Sequence, residues 1–224
     1  MKETYFRELI RRLREEGIET GPPANDHVPV QMEGRTVFYI TTGGDVLLLP
    51  ETAKDPAAGA LYDRAGPLAA EVLEYTAAMD QGTPVPGTST SHRQLAQFRD
   101  VILAGRELGG GYGYEFVTWR QNADRQSVYL GHYFRNGWEL AKEDFAVRSG
   151  LIKSGRMLSV EQLTEAVRTI REALDSNESI TQSRANRLEG IYQQISGMIP
   201  DLDAKIEDLQ ALEGGMWGPD SPSF

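Results

Sequence analysis

The chain has 224 residues, a formal net charge of −10, 40% hydrophobic and 25% charged residues, and no cysteine. That length suits one large domain or a domain with an appended subdomain, and the composition is that of a globular protein. Disulfides, thiolate zinc sites and cysteine nucleophiles are excluded, no stretch approaches the ~18 apolar residues that span a bilayer, and the net acidity argues against general electrostatic attraction to nucleic acid.

Met1 to Arg7 lacks the apolar h-region of a signal peptide, so a cytoplasmic, membrane-free protein is expected. A first helix is predicted from about Glu3 to Glu16. Tyr5, Phe6, Leu9, Ile10 and Leu13 recur at helical spacing and Gly17 supplies a C′ residue. Its polar side mixes both signs of charge, which suits packing on a sheet rather than lying on a membrane. Gly21-Pro22-Pro23 breaks the chain. Strands are predicted at 28–32, 36–41 and 45–49, joined through Glu33-Gly34-Arg35 and Thr42-Gly43-Gly44. Asp55-Pro56 reads as N-cap and N1 of a second helix that runs to residue 80 on Leu61, Tyr62, Ala65, Leu68, Val72, Tyr75 and Met79. Gly66-Pro67 should kink or split it. Gln81 to Ser91 reads as an exposed loop and the best internal nicking site.

A second β region follows. Phe98 to Glu107, Tyr112 to Arg120 and Ser127 to Phe134 read as three antiparallel strands, connected by Gly109-Gly110-Gly111 and Asn122-Ala123-Asp124. Asn136-Gly137 closes the last, and a helix from about Trp138 to Ser149 ends at Gly150. Ser159-Val160-Glu161-Gln162 is a capping box, opening a helix with Leu163, Val167, Ile170 and Leu174 on one stripe. Leu188, Ile191, Tyr192, Ile195 and Ile199 form another, and Leu202, Ile206 and Leu209 suggest a third, short helix. The fold class is α+β: a largely antiparallel β-sheet with covering helices and a C-terminal helical hairpin. The expected domains are 1–152 for the sheet, 153–213 for a helical subdomain packed on it, and 214–224 for a flexible tail. Whether the two β regions share one sheet is open at this level. They could be a duplication, though no residue-level repeat supports one.

Motifs with chemistry are scarce. Gly109-Gly110-Gly111-Tyr112-Gly113 resembles a phosphate loop, but a strand follows where such a loop needs a helix N-terminus; a hairpin turn is the better reading. Glu139 and Glu143 share a helix face beside Asp144 and, with His132, could hold a metal. Solvated helix charge paired with Lys142 and Arg148 explains them more simply. Thr88-Ser89-Thr90-Ser91-His92 lacks the packed support that a nucleophile needs. No metal, no cofactor and no catalytic residue are expected.

One constellation stands out. Nine of the nineteen Phe, Trp and Tyr residues fall between 112 and 145, with Arg106, Arg120, Arg125 and Arg135 among or just before them. Alternate residues of such a hairpin can simply fill a core. The same composition also builds protein hot spots and single-strand nucleic-acid platforms. Trp119, Arg120, Tyr133, Arg135 and Trp138 are the candidate binding residues, with a protein as the favoured partner and nucleic acid disfavoured.

Phe116-Val117-Thr118-Trp119-Arg120, Gly131-His132-Tyr133-Phe134 and Ala141-Lys142-Glu143-Asp144-Phe145-Ala146-Val147-Arg148-Ser149-Gly150-Leu151-Ile152 resemble a family of uncharacterised accessory proteins encoded on conjugative and integrative elements of gut Firmicutes. The resemblance runs from about residue 35 to 200 and implies a biological setting without implying a catalytic residue. The expected function is that of a non-enzymatic interaction or regulatory protein of a mobile element. One alternative is an acidic DNA mimic that blocks a nuclease or restriction system, resting on the seven basic and twelve acidic residues of 151–224. An enzyme of undetected type is a further alternative.

Overall fold

The computed structural model describes residues 2–153, 155, 157–176, 180–199 and 201–215. It divides into two compact units, 1–152 and 153–224. The first is α+β and holds two antiparallel sheets. The order is α1 (Lys2–Glu15), β1 (Glu19–Thr20), β2 (His27–Met32), β3 (Arg35–Thr41), β4 (Val46–Leu48), α2 (Pro56–Gln81), β5 (Thr83–Pro84), β6 (Arg93–Phe98), β7 (Val101–Glu107), β8 (Tyr114–Gln121), β9 (Val128–Arg135) and α3 (Trp138–Arg148). Strands β1–β4 form the first sheet and β5–β9 the second, and in both, sequence neighbours are spatial neighbours. The two β regions are therefore separate sheets.

A single hydrophobic core serves both. Tyr5, Phe6, Leu9 and Leu13 of α1 and Ala65, Leu68, Ala69, Val72 and Tyr75 of α2 meet Val28, Val30, Phe38 and Ile40 of the first sheet, and Leu103, Tyr114 and Phe116 of the second. Asp55 caps α2, its carboxylate accepting the Ala57 N–H at 2.9 Å. Gly66-Pro67 does not split the helix: α2 is one helix of 26 residues with Pro67 inside it. Proline removes one helical hydrogen bond, but Ala65, Leu68 and Ala69 around it are buried, and packing outweighs the local preference.

A polar hub ties α1 to the second sheet. Glu8 is buried. It accepts hydrogen bonds from the Tyr75 hydroxyl at 2.7 Å and from Arg11 at 2.6 and 2.8 Å. Burial, then the Glu8 charge, push the Tyr75 phenol well above its ordinary range. Asn136, left-handed at φ 52 between β9 and α3, accepts the Tyr114 N–H at 2.9 Å and Arg11 Nη2 at 3.3 Å, and Arg12 Nη1 donates to its carbonyl at 3.4 Å.

The second unit holds α4 (Val160–Asp175), α5 (Gln182–Ser196) and α6 (Leu202–Gly215), three helices where a hairpin with a short third helix was expected. The Ser159–Gln162 capping box is formed in both directions. Val167, Ile195, Ile199, Leu202 and Ile206 make the core, while Ile191 falls on the exposed side of α5. Arg171 of α4 bridges the other two helices, donating to Tyr192 Oη at 2.9 Å and Asp203 at 2.6 Å. The expected tail begins inside α6; residues 216–224, Trp217 included, lie outside the described residues. Among the described residues no helix is long and apolar enough to cross a membrane.

Candidate functional site

The second sheet has two unlike faces, set by the alternation along β8. Tyr114, Phe116 and Thr118 face the helices. Trp138, at the start of α3, joins them in the main core, 5.0 Å from the Phe116 ring and 6.1 Å from Tyr75. Val117 and Trp119 face the other way and build a smaller outer cluster with Val85, Ile102, Ala104 and Val128. Both indoles are buried, Trp119 at 6% and Trp138 at 4% exposure, but on opposite sides of the sheet.

The segment read as an exposed loop is the lid of that outer cluster. Val85 and His92 are buried in it, Thr83-Pro84 pairs with β6 as strand β5, and Gly87 crosses so close to the 122–128 hairpin that a Cβ would lie 2.1 Å from the Gln126 carbonyl. The signal was Val85 itself, an isolated apolar residue between two prolines, and sequence periodicity does not register single anchors. The His92 ring stands edge-on to Trp119 at 4.9 Å, with Nδ1 2.7 Å from Thr90 Oγ1. Its Nε2 lies 3.4 Å from Glu115 Oε1, within ion-pair reach but too poorly aligned for a good hydrogen bond. A neutral imidazole accepting from Thr90 fits this setting. Burial and the Arg106 charge lower the His92 pKa and outweigh the opposing pull of Glu115. Arg106 is itself fixed on Glu115 Oε1 at 2.8 Å.

An aromatic rim surrounds the lid. Tyr133, cross-strand from Val117, is 59% exposed and packs edge-on to Trp119 at 6.0 Å. Arg135 lies over the 62%-exposed Tyr112 ring, 5.4 Å from its centroid, and makes no ion pair among the described residues. Gly131 is the floor under Trp119: a Cβ there would sit 2.4 Å from the indole Nε1 and 2.8 Å from Cδ1.

Of the five residues singled out from sequence, Trp119, Tyr133 and Arg135 share this outer face. Arg120 and Trp138 do not. Arg120 falls on the helix side of β8 and is paired with Asp100 at 2.5 Å. Trp138 is a core residue. Tyr112, Arg106 and His92 complete the outer face and were not selected. The predicted strand begins at Tyr112 and alternation puts that residue on the face of Tyr114, but β8 begins only at Tyr114; His92 is brought in by the lid.

The helix side carries a second polar cluster. Thr118 Oγ1, fully buried, donates to Asp144 and accepts from Arg148 Nη1 at 2.7 Å. Asp144 also holds His132 Nδ1 at 3.0 Å, and Arg148 donates to the Thr118 and Leu130 carbonyls at 2.8 and 2.6 Å. These bonds fasten α3 to β8 and β9. Glu139 pairs with Lys142 at 2.9 Å, and among the described residues no group of three His, Asp or Glu converges as metal ligands would. No known protein family, curated protein or solved structure matches the chain.

Proposed function

We propose that the chain is a protein-binding module, with the rim of the outer face of the second sheet as its contact surface. In the setting that the sequence resemblance implies, it serves as an accessory or regulatory protein of a bacterial mobile element. The observation that supports this is the state of the rim. Tyr112 and Tyr133 are more than half exposed beside Arg135, a guanidinium without a carboxylate partner among the described residues. Arg106 and Arg120 of the same segment are consumed in internal pairs. Buried Trp119 packs edge-on against Tyr133 from below, so the exposed aromatic rests on a packed base, as suits an interface anchor. The acidic-decoy reading requires carboxylates free of partners along a surface; two of those on the second unit, Glu165 and Asp203, are paired with Arg168 and Arg171.

A photo-reactive phenylalanine analogue placed at Tyr133 tests the surface, with the same group at Tyr62, an exposed position on α2, as the control. Crosslinking in the native host should give a discrete protein adduct from position 133 and none from 62. Equal labelling from both, or none from 133, refutes the reading.

A further inference from the structure

We infer that the free edge of β9 takes an added strand from an acidic, extended segment of the partner protein. This rests on the protein-binding reading above and names the kind of segment that the surface accepts.

The other sheet edges are protected. Strands β1 and β5 have two residues each and β4 has three, and β5 contains a proline. Where these strands stop short, loop backbone continues the pairing: Gly21 and Ala24 N–H donate to Pro29 and His27 carbonyls, Leu49 N–H to Val37, and Val85 N–H to His92. Strand β9 is the exception, with eight residues. Among the described residues, the only donor that reaches its backbone from outside the β8 ladder is Arg148, at the Leu130 carbonyl. A long unpaired edge is a template for a further strand. Arg148 and the irregularity at Leu130, with φ 51, close the first half of this one. His132–Arg135, in regular register with Glu115–Thr118, remains open.

Charge selects the occupant. From Arg125 to Trp138 the sequence contains no Asp or Glu, in a chain of net charge −10. An added strand would place alternate side chains on the outer face beside Tyr133 and Arg135. A carboxylate there gives Arg135 the charge-assisted partner it lacks, and a β-branched neighbour covers the exposed Tyr133 ring.

The test uses the full chain and two short synthetic peptides, one alternating Glu and Thr and the other alternating Lys and Thr. Binding is read by fluorescence anisotropy and pairing by amide hydrogen exchange. The Glu peptide should bind at least about tenfold more tightly than the Lys peptide, and Arg135→Glu should remove that preference. At saturation, amides within 131–135 should exchange roughly tenfold more slowly, as a paired strand requires. Equal binding of the two peptides, or saturation without slowed exchange at 131–135, overturns strand addition. The crosslink from position 133 separates the two failures: retained, it leaves the binding surface standing while strand addition falls; lost, it removes the surface itself.

Discussion

Replacing Gly131 with Ala tests the link between the outer cluster and the aromatic rim. The new Cβ would lie 2.4 Å from Trp119 Nε1, 2.8 Å from its Cδ1 and 2.9 Å from Tyr133 Cε2. Ordinary contacts of this kind are ~3.5–4.0 Å, so roughly 1 Å must be found. Tyr133 can swing into solvent. Trp119 cannot, because Val85, Ile102, Ala104 and Val117 hold it from the other sides. Overpacking of this kind costs about 1–3 kcal/mol. For a chain of this size that lowers the melting temperature by about 2–12 °C at roughly 2–4 °C per kcal/mol. Calorimetry on Gly131→Ala, Trp119→Phe and the double variant gives the coupling. The smaller ring should recover part of the loss, with an interaction energy above about 0.5 kcal/mol. Unchanged melting in Gly131→Ala, or strict additivity in the double variant, would show that the indole does not rest on position 131.

Trp138→Ala should cost about 3–5 kcal/mol in chemical denaturation, since it empties a fully packed site beside Phe116 and Tyr75. Glu8→Ala leaves Arg11 and the Tyr75 hydroxyl without their shared acceptor and should cost a similar 3–5 kcal/mol or so, read by the same assay; a loss under about 1 kcal/mol would mean that water replaces the carboxylate. His92 has a lowered folded pKa, so the unfolded chain binds the extra proton first. Its contribution to stability is complete above the unfolded value of 6.5 and is lost as the pH falls through the depressed folded value. His92→Gln should therefore flatten the slope of stability against pH just below 6.5, and an unaltered slope would remove His92 from the acid response.

The sequence was most readable where one face of an element is buried and ends are marked by chemistry. The α1 stripe, the Asp55 cap and the Ser159 capping box all carry such marks: α1 and α2 lie within a residue or two of their predicted spans, and α4 starts at its predicted cap. Strand β6 carries none. Arg93 to Phe98 is half polar, and the sequence pattern starts β7 at Phe98 because the turn between the two strands is Arg99-Asp100, with Arg99 at φ 56, a residue that does not announce a left-handed turn. The candidate site was half legible for a related reason. Composition identified the aromatic strands, but which face each residue occupies depends on register and on what covers the sheet. Trp119 and Trp138 look alike in sequence; only the placement of α3 sends one inward while β8 alternation sends the other outward.

The polar hub at Asn136 also dictates an order of events during synthesis. Helix α1 leaves the ribosome before the second sheet, so Arg12 waits for a carbonyl 124 residues later and Arg7 for Glu107, 100 residues on. At roughly 5–20 residues per second, about 6–25 s pass before Asn136 is made. Throughout that interval Phe6, Leu9 and Leu13 lack the second-sheet residues of the core they share, so the nascent chain carries an amphipathic helix whose apolar stripe is incompletely covered until β9 emerges.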